Sequence, residues 1–185
     1  MIDDVIEATK DGIDKTLDAL KRDLAKVRTG RAHPSILDRI RVDYYGTPTP
    51  IAQMANVGVP DASLLVVKPW ERSQVQAIDR AIRDSDLGLN PQVDGDLLRI
   101  PIPPLTEERR KDMVKVTKRS GEEAKIAVRK HRRESLDLLD EAVKEGEVSE
   151  DDADRGKKKV EDLIAEGVKR VDQLVADREA QIMGG

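Results

Sequence analysis

The chain has 185 residues and a formal net charge of −4, from 33 Lys and Arg against 37 Asp and Glu. With no Cys and only two His, at positions 33 and 131, it excludes disulfide frameworks, thiolate zinc sites and cysteine nucleophiles, and leaves little for a metal centre or a triad. Aromatics are 2% of residues, with no Phe, which argues against the several exposed rings that a base-stacking platform needs.

Residues 1–30 contain no proline, and Ile6, Ile13, Leu17, Leu20, Leu24 and Val27 recur at mostly three- and four-residue spacing. This is the apolar seam of a bundled helix, with Gly30 as its expected stop. The same segment is amphipathic and acidic from Met1 to Lys10, unlike a targeting sequence, and no stretch approaches the roughly 18 apolar residues of a membrane span. A soluble, cytoplasmic monomer is expected.

All nine prolines fall between 31 and 104, where long helices are therefore ruled out. Ile40-Arg41-Val42-Asp43-Tyr44 alternates with period two, as a half-buried strand does. Gly46 to Pro50 reads as a turn. Leu64-Leu65-Val66-Val67 reads as a strand ended by Pro69. Residues 73–85 carry Val75, Ile78, Ala81 and Ile82 at helical spacing. Asn90-Pro91 is a turn, and Leu97-Leu98-Arg99-Ile100 a closing strand. The block 31–104 is expected to be a small β/α/β domain.

Residues 105–146 form a second proline-free segment, about 60 Å long as a helix. Thr106 is its expected N-cap, Glu107 and Glu108 lie in the first turn, and Gly146 is the stop. Ser149 opens a third helix with Asp152 three residues on, a capping-box variant. Its seam is Ala153, Val160, Ile164, Val171, Leu174 and Ile182, and Gly156 and Gly167 permit close helix approach. A lone 30-residue helix cannot bury its apolar face. The economical fold is α+β: residues 1–30 and 105–185 make a three-helix bundle, with 31–104 inserted. The chain then crosses between domains at Thr29-Gly30-Arg31 and at Ile102-Pro103-Pro104-Leu105. Gly30, Arg31, Pro103, Pro104 and Leu105 are the candidate hinge, with rigid docking as the alternative.

Charge is unevenly spread. Residues 105–133 hold 11 basic and 5 acidic side chains, a net +6, while 134–185 hold 8 and 16, a net −8. The acidic total thus hides a basic half-helix. Within it Lys111, Lys115, Lys118, Lys125, Arg129 and Arg132 recur along one stripe, broken by Glu122 and flanked by Arg110, Arg119 and Arg133. Such spacing suits successive phosphates, and arginine forks suit bidentate phosphate contact. The competing reading is a solvated helix face neutralised by acids of the third helix. His131 reads as packed or surface-lying rather than catalytic, and His33 carries no signal.

Motifs for chemistry are missing: there is no phosphate-binding glycine loop, dinucleotide turn, nucleophile elbow or paired-histidine zinc motif. Asp84-Ser85-Asp86-Leu87-Gly88 echoes a calcium loop but lacks its third acid and distal Glu. No carboxylate sits in an apolar setting that would suit acid catalysis. The reading is of a non-enzyme with no cofactor and no metal.

Five ordered stretches resemble ribosome recycling factor. They are Lys26-Val27-Arg28-Thr29-Gly30-Arg31-Ala32, Tyr44-Tyr45-Gly46-Thr47-Pro48, Asp86-Leu87-Gly88-Leu89-Asn90-Pro91, the run from Ile100 to Lys111, and Val128-Arg129-Lys130-His131-Arg132-Arg133. The resemblance covers essentially the whole chain. It implies an L-shaped pair of domains, and a factor that splits the post-termination ribosome into subunits together with elongation factor G, which hydrolyses the GTP. It implies binding to large-subunit ribosomal RNA through the bundle. On matching positions, Arg132 is the implied critical arginine, with Arg129, Arg133 and Arg110 beside it and Arg28 and Arg31 near the hinge. Lys111, Lys115, Lys118 and Lys125 complete the candidate RNA-binding set from the stripe. A coiled-coil adaptor and a general RNA chaperone are the rival readings.

Overall fold

The computed structural model describes residues 1–184. Helix α1 (Ile2–Ala25) buries Val5, Thr9, Ile13, Leu17, Leu20 and Leu24. The expected seam holds from Ile13 onward but shifts by one position at the start, where Val5 is buried and Ile6 only half-buried. A polar residue enters this seam because its hydroxyl is satisfied. Thr9 Oγ1 donates to the Val5 carbonyl at 2.7 Å and lies 2.6 Å from Ser135 Oγ across the bundle. The helix ends at Ala25, five residues before the expected stop, and Gly30 instead supplies a left-handed turn at φ 77°.

The inserted segment begins with a short 3-10 turn (Pro34–Leu37) whose first N–H groups are met by His33, Nδ1 accepting from Ser35 N–H at 3.1 Å. Strands β1 (Arg41–Tyr44) and β2 (Thr47–Pro50) form a separate antiparallel hairpin. Its two turn residues, Tyr45 and Gly46, both take positive φ, as a tight primed turn requires. The expected turn at 46–50 is thus confined to Tyr45-Gly46. Pro48 and Pro50 lie in a strand, which is tolerated because β2 has a neighbour on one side only.

The main sheet has four antiparallel strands in the order β3 (Ala55–Asp61), β4 (Leu64–Pro69), β6 (Leu97–Pro101), β5 (Gln92–Asp94). Strands β4 and β6 are the apolar runs foreseen, and their inward residues Leu65, Val67, Leu98 and Ile100 are 0% exposed. Against them packs α2 (Val75–Arg83) through Val75, Ile78 and Ile82. Strands β3 and β5 were not expected. Both are edges of this sheet, most of their residues are exposed, and β3 carries Gly58 and Pro60, so neither shows an alternating apolar pattern. The simple β/α/β expectation becomes six antiparallel strands and one helix.

Helix α3 (Glu107–Lys144) closes with a Schellman motif: Glu147 N–H bonds the Ala142 carbonyl at 2.9 Å and Gly146 N–H the Val143 carbonyl at 3.0 Å, with Gly146 at φ 73°. Helix α4 (Glu150–Gly184) begins where Ser149 Oγ accepts from Asp152 N–H at 3.1 Å. The Asp152 carboxylate itself pairs with Arg155. The three long helices pack as a bundle around Leu17, Val128, Leu139, Val160 and Val171. A Cβ added to Gly156 would stand 3.0 Å from Ile2 Cγ2, so backbone there meets side chain directly. Leu174 of the expected seam is half-buried.

The chain divides into two compact units, Met1–Thr29 with Glu107–Gly184, and Gly30–Thr106. Within the second, both ends of the inserted segment are tied to the β3–β4 turn, Ala32 N–H donating to the Ala62 carbonyl at 2.7 Å and Ile102 N–H to the Ser63 carbonyl at 2.8 Å. Gly30 lies against Leu105, whose N would be 3.2 Å from an added Cβ.

Candidate nucleic-acid interface

The first half of α3 is a helix because it is rich in Lys, Arg, Glu and Ala and free of proline, and because one narrow face can enter the core. Thr117, Gly121, Ala124, Val128 and Ser135 are buried on that face. Small residues there let α1 and α4 come close, which leaves the long cations to the outer faces.

A seven-residue step falls short of two full helical turns, so positions 111, 118, 125 and 132 rotate by about 20° per heptad. The expected straight stripe is therefore slanted, and its later members reach α4. Lys125, only 19% exposed, pairs with Asp172 at 2.6 Å and with Glu122 at 3.6 Å. The Asp172 hydrogen bond above all holds the Lys125 ammonium above its ordinary pKa. Arg132 lies beside Glu161: Nε is 2.8 and 3.0 Å from the two carboxylate oxygens and Nη2 is 2.7 Å from Oε1. Hydrogen bonding from Arg132 holds Glu161 below the usual carboxylate range, and the same bonds raise Arg132. The acids of α4 thus neutralise part of the stripe and leave the rest.

Lys115, Lys118, Arg129 and Arg133 are exposed and form no ion pair among the described residues. Lys111 is 68% exposed with a loose 3.8 Å contact to Glu107 on its own helix. Arg110 is half-buried, apart from the exposed cations. Arg28 is exposed at the end of the bundle unit, and Arg31 is exposed in the small unit. Ile126, 62% exposed, interrupts the charge of the outer face, and Val116 at 42% does the same.

His131 is packed, as one of its two expected settings. Its ring covers Gly12, where an added Cβ would be 2.8 Å from Nδ1, and Nε2 is 3.2 Å from Thr16 Oγ1. Among the described residues no cluster of His, Asp or Glu could hold a metal ion, and no helix is long and apolar enough to cross a membrane. A groove on the small unit, lined by Arg39, Arg41 and Arg80, also carries Asp43, Asp84 and Asp86, a mixed-sign surface.

Three groups escaped sequence reasoning. Glu161 and Asp172 directly follow the seam residues Val160 and Val171, and that flanking position was the available signal. Arg178 of α4 donates through Nη2 to the Val27 carbonyl at 2.5 Å and to Ala25 O at 3.4 Å, capping α1, and forms no ion pair among the described residues. Desolvation lowers its pKa from the ordinary arginine value. On the small unit, Tyr44 and Tyr45 meet edge to face with centroids 4.7 Å apart, and both hydroxyls donate to Glu71. Neither of these last two had a local signature, because each joins segments distant in sequence.

The ribosome recycling factor family model matches residues 20–183. The ribosome-recycling factor of Sorangium cellulosum (strain So ce56) is 61% identical over 183 residues, spanning 99% of both chains. That of Anaeromyxobacter sp. (strain K) is 53% identical over 98% of this chain and 96% of its own. The solution structure of a ribosome recycling factor superposes with a TM-score of 0.75 at 33% identity, covering 100% of this chain and 98% of that one. The Thermus thermophilus factor, in models with Escherichia coli elongation factor G bound to the E. coli post-termination complex, gives 0.64 at 43% identity with 100% coverage of both.

Proposed function

We propose, from the premise that the chain belongs to the ribosome recycling factor family, that it splits the post-termination ribosome into subunits together with elongation factor G and GTP, freeing mRNA and tRNA. The partner supplies GTP hydrolysis, in keeping with a chain that has no phosphate-binding loop. The basic half of α3 docks on large-subunit ribosomal RNA. One observation carries this site: Lys115, Lys118, Arg129 and Arg133 are exposed and form no ion pair among the described residues, on a bundle that is otherwise acidic. Phosphates that replace their counterions drive binding and make it salt-sensitive. Arg132 presents its guanidinium at the same end of this half-helix. Arg28, Arg31, Arg110, Lys111 and Lys125 complete the proposed set. Gly30, Arg31, Pro103, Pro104 and Leu105 form the proposed hinge between units.

The test is subunit splitting, followed by light scattering on post-termination ribosomes with elongation factor G and GTP, for the parent and Arg132→Ala. Splitting by the parent alone supports both the function and the site. Splitting by both discards the site, and splitting by neither overturns the function.

A further inference from the structure

We infer that Glu161 is a positioning residue for Arg132: it holds the guanidinium by one edge and leaves its other donors aimed outward for a phosphate. This rests on the reading of α3 as the RNA-binding face. A guanidinium has five N–H donors in a rigid plane. Glu161 takes the side edge, through Nε and Nη2 at 2.7–3.0 Å. The end of the fork, Nη1 and the outer hydrogen of Nη2, donates no hydrogen bond to any described residue. That edge can engage a phosphate with two parallel bonds.

The alternative meaning of the same contact is competition, with Glu161 as an internal counterion that RNA must displace. Geometry favours positioning. Glu161 occupies the side edge, with three contacts of 2.7–3.0 Å that fix the plane, and leaves the end of the fork open to a phosphate. Both side chains remain about half exposed, at 46% and 45%, so phosphate can approach without unpacking the bundle. Half-exposed pairs add little to folding, which keeps substitutions here interpretable.

The two meanings predict opposite signs. Removing an acid beside a phosphate raises affinity if charge alone matters. Freeing a long side chain lowers it, by roughly three- to tenfold if the ordering of one such chain is lost. The experiment measures binding of the full-length protein to vacant 70S ribosomes for Glu161→Ala, Glu161→Gln, Arg132→Ala and the Arg132→Ala/Glu161→Ala double variant, with thermal melting of each. Positioning predicts that Glu161→Ala weakens binding and that Glu161→Gln, which keeps one acceptor oxygen, falls between it and the parent. In the Arg132→Ala background, Glu161→Ala should then cost nothing further. Equal or tighter binding by Glu161→Ala overturns the inference, as does an undiminished cost in the Arg132→Ala background. Unchanged binding by Arg132→Ala itself overturns the docking reading on which it stands.

Discussion

Gly167 of α4 lies against Ile13 of α1 so closely that an added Cβ would stand 3.0 Å from the isoleucine Cγ2 methyl, with Val128 of α3 at 3.7 Å. All three helices meet at this point, and the two facing side chains are β-branched and stiff at χ1. Gly167→Val should therefore lower bundle stability by about 1–3 kcal/mol through overpacking, although glycine is the poorer helix former. The shift in urea midpoint of the far-UV circular dichroism signal measures it. An unchanged midpoint would mean the helices can part at this crossing.

Arg178→Met keeps most of the aliphatic stem and removes the donors that meet the Val27 and Ala25 carbonyls. Leaving the half-buried carbonyl unpaired should cost about 1–3 kcal/mol. Amide exchange should speed up most at residues 24–28. Uniform acceleration along α1 would assign Arg178 a general packing role instead.

Hydroxyl donation from Tyr44, then Tyr45, holds Glu71 below the ordinary carboxylate range, while its bond to Glu71 raises Tyr44. A depressed carboxyl stabilises the fold above its unfolded pKa, and that contribution is lost as pH falls through the lower folded value. A raised tyrosine does the reverse, stabilising below its unfolded pKa and losing the contribution as pH rises through the higher folded value. Glu71→Gln should therefore lose less stability than the parent on acidification below the glutamate range of about 4.3. Parallel pH profiles for the two proteins would exclude this contact as a source of acid sensitivity.

On the proposed RNA face, Lys115→Ala and Arg133→Ala should each reduce the slope of log affinity against log salt by roughly one unit or less. Melting temperatures should stay close to the parent, since neither side chain has an ion pair among the described residues. Slopes equal to the parent would place these cations away from phosphate.

Replacing Pro103-Pro104 by Gly-Gly frees two backbone positions that proline confines. If the crossing is a constrained hinge, ribosome binding should persist while splitting slows. Splitting at the parental rate would show that the crossing need not be stiff.

Where burial is one-sided and regular, the sequence was legible. The seam Ile13, Leu17, Leu20, Leu24, the runs of β4 and β6, and the Ser149 and Gly146 signals all mark elements found in the fold. Edge strands β3 and β5 bury almost nothing, so no pattern marked them, and Pro48 and Pro50 concealed β2. The basic half-helix was legible as composition, but its division into paired and exposed cations was not.

Order along the chain determined where helices could run, because proline and the apolar repeat act within one segment. It also determined that an acidic chain would carry one basic half-helix. Which cations remain open was decided only when α3 met α4: a twist of about 20° per heptad turned Lys125 and Arg132 toward Asp172 and Glu161, while Arg129 and Arg133 stayed outside. Charge is a property of each residue, but its neutralisation depends on distance, and those distances join residues 29 and 47 positions apart.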